Sequence, residues 1–165
     1  MKKLWRRLFG RVPAAEAPGA VAGHRLDSLD WYKVQGASPR AIEHLKSVAP
    51  FNLPESYLSL LRYSNGGEGP LAVQPHNFCL DSAEEVAETH LENAHRESFR
   101  DLFFIAGTGG CTRIAFDLRA SVPYPLVAID MCGGGVELAL AIAPSFDAAL
   151  ELIGRESEEI DWDDP

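Results

Sequence analysis

The chain has 165 residues, 46% of them apolar and 24% charged, with a formal net charge of −9. That length fits one domain with short tails, and the apolar share is enough for a core. The negative balance argues against non-specific nucleic-acid binding, which needs clustered Lys and Arg, and is compatible with a basic protein partner.

Residues 1–12 differ from the rest. Lys2, Lys3, Arg6, Arg7 and Arg11 are basic, while Leu4, Trp5, Leu8, Phe9 and Val12 fall on one stripe at helical spacing. The stripe permits contact with an anionic membrane. A twin-arginine export signal is a weaker reading, because Pro13, Glu16 and Pro18 interrupt any apolar core. A tail, mobile or docked, is preferred over both. Residues 13–23 are rich in Pro, Ala and Gly and read as a linker. The single domain is placed at 24–155, its packed part starting near Leu26. Leu29, Trp31, Tyr32 and Val34 suit either a short helix or an edge strand.

Ser38-Pro39 predicts a helix start, with Ser as N-cap and Pro at the first position. Ile42, Leu45 and Val48 mark its inner face, and Ala49-Pro50 ends it. A second helix is predicted over 54–65. Pro54 opens it, Glu55 meets the positive end of the dipole, and Tyr57, Leu58, Leu61 and Ser64 share a face. Asn65-Gly66-Gly67 stops it, since these residues tolerate a left-handed cap.

The period then changes. Leu71–Val73 and Phe78–Leu80 read as short strands. Ser82 and Glu85 form a capping box that starts a helix over 83–95, expected at a sheet edge. Glu84, Glu88 and Glu92 recur at four-residue steps and make an acidic ridge on it. The ordinary reason for such a ridge is solubility; the functional one is docking of Lys and Arg from a partner. Strands are expected at 102–106, 111–118, 126–131 and 136–142, the last from the alternation of Val136, Leu138, Leu140 and Ile142. Ser145 caps a final helix that Gly154 ends. Residues 156–165 carry six acidic side chains and no basic one, an acidic tail able to attract the basic start.

Cys79, Cys111 and Cys132 are odd in number and far apart in sequence, so no disulfide framework is expected, and free thiols suit a reducing cytosol. His76 with the three cysteines would make four zinc ligands, but only one close pair exists, and the set is disfavoured. Gly107–Gly110 and Gly133–Gly135 read as tight turns, since neither is followed by a phosphate-binding helix. His90 and His95 are five apart, not the four that put two ligands on one helix face. No Gly-x-Ser-x-Gly elbow is present. No catalytic residue, metal or cofactor is therefore assigned.

Leu53-Pro54-x-x-Tyr57-x-x-Leu-Leu-x-x-x-Asn65-Gly66-Gly67 resembles the signature of the SUKH superfamily, which holds bacterial immunity proteins and fungal cell-wall-synthesis regulators of the Smi/Knr type. Phe103–Gly110 with Ala115–Leu118, the acidic helix start after Ser82 and the Ser145-Phe146-Asp147 helix start extend the resemblance over about 38–153. It implies an α+β fold, a four- to six-stranded, mostly antiparallel sheet with helices packed on one face. Leu53, Pro54, Tyr57, Asn65, Gly66 and Gly67 are then structural signature residues. It also implies a cytoplasmic, non-catalytic protein-binding domain, an immunity protein that masks a basic toxin, often a nuclease. Glu68, Glu84, Glu88 and Glu92 are the candidate partner-binding residues. The alternatives are a regulatory or scaffold module without a toxin partner, and a small enzyme with an unrecognised site. The basic start is no part of the family pattern.

Overall fold

The computed structural model describes residues 25–93, 96–133 and 135–157. The basic segment 1–12, the linker 13–23 and most of the acidic tail lie outside the described residues, as does any attraction between the two ends.

The helices are α1 (Pro39–Val48), α2 (Glu55–Tyr63), α3 (Ala83–Asn93) and α4 (Phe146–Leu150). The strands are β1 (Gly67–Pro70), β2 (Asn77–Leu80), β3 (Leu102–Gly107), β4 (Thr112–Asp117), β5 (Leu126–Asp130) and β6 (Leu140–Ala143). They form one antiparallel six-stranded sheet in sequence order β1-β2-β3-β4-β5-β6. Every strand thus pairs with its neighbour in the chain, and the α+β fold is that of a meander with helices added.

The caps read from sequence form. Ser38 Oγ accepts from the Ala41 N–H at 3.1 Å, and Ser145 Oγ from the Ala148 N–H at 3.2 Å. In the capping box of α3, Glu85 accepts from the Ser82 N–H at 2.8 Å and Ser82 Oγ accepts from the Glu85 N–H at 3.2 Å. These bonds satisfy donors that a helix start leaves without partners.

One face of the sheet carries the main core. Phe78, Leu80, Phe103, Ile105, Ile114 and Phe116 point into it and meet Leu45, Tyr57, Leu61, Val86 and Phe146 from the helices. Phe51 sits edge-on to both Phe103 and Phe116, with ring centroids 5.4 Å from each. The other face carries a second, smaller cluster: Leu102, Phe104, Ala115, Val127 and Ile129. Among the described residues, the side chains packed on it are Phe99, Val136 and Ala139, which belong to or flank two 3₁₀ turns, Glu97–Phe99 and Val136–Leu138.

Several expectations need correction. The first strand is Gly67–Pro70, not Leu71–Val73. Leu71 is buried and makes an isolated bridge with Ile153, while Leu71 N–H donates to the His76 carbonyl across a loop that His76 closes at φ 67. Pairing with β2 outweighed the poor strand propensity of Gly-Glu-Gly-Pro. The strand predicted over 136–142 starts only at Leu140; a 3₁₀ turn precedes it, and Leu138 is 76% exposed. Residues 29–34 form neither alternative: Tyr32 makes a one-residue bridge to Glu68, and Leu26, just before them, enters the core.

The predicted edge helix is not at an edge. α3 packs on α1 and on β3, and Ala83, Val86 and Ala87 are fully buried. Two alanines on its inner face let it approach closely, which a weak apolar stripe hides from sequence. α4 ends at Leu150, short of the predicted limit, although Ile153 stays buried and Gly154 turns the chain at φ 77.

Cys111 and Cys132 are joined in a disulfide. This overturns the expectation of three free thiols. It also removes two ligands from the zinc set considered with His76 and Cys79. The reason lies in the sheet: Thr112 faces Asp130 across β4 and β5, and the Met131 N–H donates to the Cys111 carbonyl at 3.0 Å. Residues 21 apart in the chain are neighbours there, with Cα atoms 5.8 Å apart.

Candidate functional site

The signature segment is a hinge of internal contacts. Pro54 is the N-cap of α2, with ψ 137, one position earlier than predicted. Leu53 is half-buried against the core. Tyr57 is fully buried, its ring 5.1 Å from that of Phe146 and 5.9 Å from that of Phe116. Burial, and then the charge of Asp81, raise its hydroxyl pKa well above the usual phenol value.

The C-terminal stop of α2 is built by Ser64 and the two glycines. Ser64 is extended, and its hydroxyl donates to the Gly66 carbonyl at 2.6 Å and accepts from the Val34 N–H at 3.0 Å. Gly66 and Gly67 have φ of 113 and 108. A Cβ on Gly67 would lie 2.4 Å from the Tyr32 carbonyl oxygen. Both conformation and space therefore demand glycine at 67. Asn65 reaches across to α3: its Oδ1 accepts from the Ala83 N–H at 2.7 Å and its Nδ2 donates to Glu84 at 2.8 Å.

The four candidate carboxylates do not share a surface. Glu84, Glu88 and Glu92 are exposed at one-turn steps on α3, which covers the helix-bearing face of the sheet. Glu68 lies on the other face. It is opposite Cys79 in register, and its carboxylate accepts from the Cys79 thiol at 3.4 Å. Cys79 alternates with Phe78 and Leu80, both of which point into the main core. Among the described residues, Glu88 and Glu92 take part in no ion pair.

Glu68 belongs instead to a polar group that reaches from β1 and β2 across to Thr108 after β3 and Arg113 on β4. Asn77 donates to the Thr108 carbonyl at 3.1 Å, and Arg113 donates to Asp81 at 2.5 Å. Burial raises the Asp81 carboxyl pKa, with Arg113 opposing. Burial, with the Glu68 charge and hydrogen bond, pushes the Cys79 thiol up to about 11. That keeps it protonated and a poor nucleophile at neutral pH. On α3, burial lowers the pKa of His90, whose ring lies 5.1 Å from that of Phe103.

Sequence reading missed a cleft of about 530 Å³ on the second face. Phe99, Leu102, Met131 and Val136 supply its apolar lining, and Glu97, Asp101 and Glu137 its acidic one. Arg119, the one Lys or Arg on the lining, is held by Asp117 through bonds of 2.7 and 2.9 Å. The available signal was the unbroken apolar run Leu102–Ala106, which marks a strand buried on both faces. Among the described residues no cluster of three or more His, Cys, Asp or Glu could hold a metal ion.

No helix among the described residues is long and apolar enough to cross a membrane. No curated protein matches the chain. A family model does match, over residues 36–152, a span that holds the signature segment and the strands β1–β6 and helices α1–α4 of the described residues. The chain belongs to the SMI1/KNR4 family (SUKH-1).

Proposed function

We propose that this protein is a non-catalytic binding domain that recognises a basic protein partner, as an immunity protein that neutralises a cognate toxin. The observation that carries the reading is the exposed row Glu84, Glu88 and Glu92 on α3, whose Ala83, Val86 and Ala87 are buried on the opposite side. Three carboxylates one turn apart form a local negative field, and a field of that kind steers a basic partner and sets its register. Asn65, through its bonds to Ala83 and Glu84, fixes the end of the row. Glu68, on the other side of the sheet, would belong to a separate contact. The net charge of −9 favours a basic protein over nucleic acid in the same way. A cytoplasmic site of action forms part of the reading through the family resemblance alone, because the Cys111–Cys132 bond removes the support that free thiols gave it.

The second reading is a regulatory or scaffold module of the Smi/Knr type, which membership of the family supports equally. Affinity capture of the full chain from its native host at two salt concentrations separates them. One dominant basic partner, lost at high salt and lost from the Glu84→Lys/Glu88→Lys/Glu92→Lys variant at low salt, is the expected result. Several substoichiometric partners that survive the triple substitution would replace the immunity reading with the scaffold one.

A further inference from the structure

We infer that the cleft on the second face of the sheet is a docking site for residues 1–12 of the chain itself. The argument rests on complementarity. The cleft offers Phe99, Leu102, Met131 and Val136 as apolar contacts and Glu97, Asp101 and Glu137 as negative charges. Arg119, the one cation on the lining among the described residues, is bonded first to buried Asp117, with Glu137 and Asp101 contributing less to its charge balance, so the acidic lining stays in excess. Among the described residues Asp101 has one ion pair, with Arg100 at 3.7 Å on the surface, a contact of little worth, and the Arg119 charge also acts on it. The cleft therefore suits an occupant that is apolar on one side and basic on the other.

Residues 1–12 have that chemistry. Lys2, Lys3, Arg6, Arg7 and Arg11 are basic, no residue in the segment is acidic, and Leu4, Trp5, Leu8, Phe9 and Val12 make one stripe at helical spacing. Met131, 40% exposed, offers a thioether to an aromatic ring such as Trp5 or Phe9. The connection is long: residues 13–24 span up to roughly 40 Å when extended.

The test uses the full chain with p-benzoylphenylalanine replacing Trp5. Irradiation of the monomer should link that position to peptides containing Phe99, Met131 or Val136. The Glu97→Lys/Glu137→Lys variant should lower the yield about fivefold, and adding Arg6→Glu/Arg7→Glu should restore it. Glu97 and Glu137 are exposed, so the fold tolerates their replacement. Products that join two copies would assign the cleft to a second molecule. Products on the α3 face, or none, would leave it to an external partner. Any of these three, or a yield indifferent to both charge reversals, overturns the inference.

Discussion

Asn65 caps Ala83. The side-chain oxygen of the last non-glycine residue in the signature takes the Ala83 N–H at 2.7 Å, eighteen residues downstream. The helix that carries the acidic row is thus tied to the stop of α2 by one amide, which also holds Glu84 at 2.8 Å. Replacing Asn65 by Ala leaves a helix-start donor without its acceptor and should cost about 0.5–2 kcal/mol. Asn65→Asp keeps the acceptor but sets a charge against Glu84, so it should recover only part of the loss. Denaturant unfolding of the three proteins checks this. Equal stability of Asn65→Ala and the parent would show that the bond contributes nothing.

Tyr57 is a signature residue whose hydroxyl has no hydrogen-bond partner among the described residues, although the ring is fully buried. A buried hydroxyl without a partner costs roughly 1–3 kcal/mol. Tyr57→Phe keeps the ring contacts with Phe116 and Phe146 and removes that cost, so it should leave stability unchanged or raise it. Tyr57→Ala should lose about 3–5 kcal/mol through the cavity it opens. A Tyr57→Phe protein clearly less stable than the parent in urea unfolding would mean that the hydroxyl is satisfied in solution.

Local chemistry explains what could be read from the sequence. Ser38, Ser82 with Glu85, and Ser145 announce helices through contacts three residues away, and each bond forms. The Leu53–Gly67 pattern was informative for the same reason: its caps and buried ring lie within fifteen residues. What was lost depends on register. Gly67–Pro70 is a strand only because Asn77–Leu80 lies beside it. The side of the sheet taken by Glu68 follows from its pairing with Cys79, not from its own neighbours. Alternation at 136–142 suggested a longer strand than β6, because chain geometry after Gly135 forms a 3₁₀ turn that the pattern does not encode. The cleft joins residues from 97 to 137 and has no single sequence window.

The Cys79 thiol yields a pH prediction. Burial first, then Glu68, raise its pKa to about 11. At pH 8 its alkylation by iodoacetamide should be slower than that of an ordinary thiol by on the order of 100-fold, since the thiolate is the nucleophile. Unfolding in urea should abolish the difference. Glu68→Gln removes the neighbouring charge and should speed the reaction of the folded protein only in part, because burial is the larger cause. The sign for stability follows from the same shift. The folded state holds this proton more tightly than the unfolded one, so the contribution is present below the unfolded pKa and is lost as pH rises through about 11. Rapid labelling of native protein at pH 8 would contradict the placement of Cys79 beside Glu68.

The Cys111–Cys132 bond bears on the cleft as well as on stability. It ties the start of β4 to the segment just after β5, and Met131, part of the cleft lining, is the residue before Cys132. Protein purified without reductant should show one free thiol per chain when unfolded, and three after reduction. The bond closes a loop between residues 21 apart, and for that length constraint of the unfolded chain contributes roughly 3 kcal/mol. Reduction, or Cys111→Ser/Cys132→Ser, should therefore lower stability by about that amount without dissolving the sheet, whose β4–β5 pairing continues from Thr112 to Phe116. Loss of the bond should also free the wall at Met131, so the crosslink from position 5 should weaken in the double-serine protein. Three free thiols in the unreduced protein would remove the disulfide from the structure and, with it, the predicted coupling between redox state and the cleft.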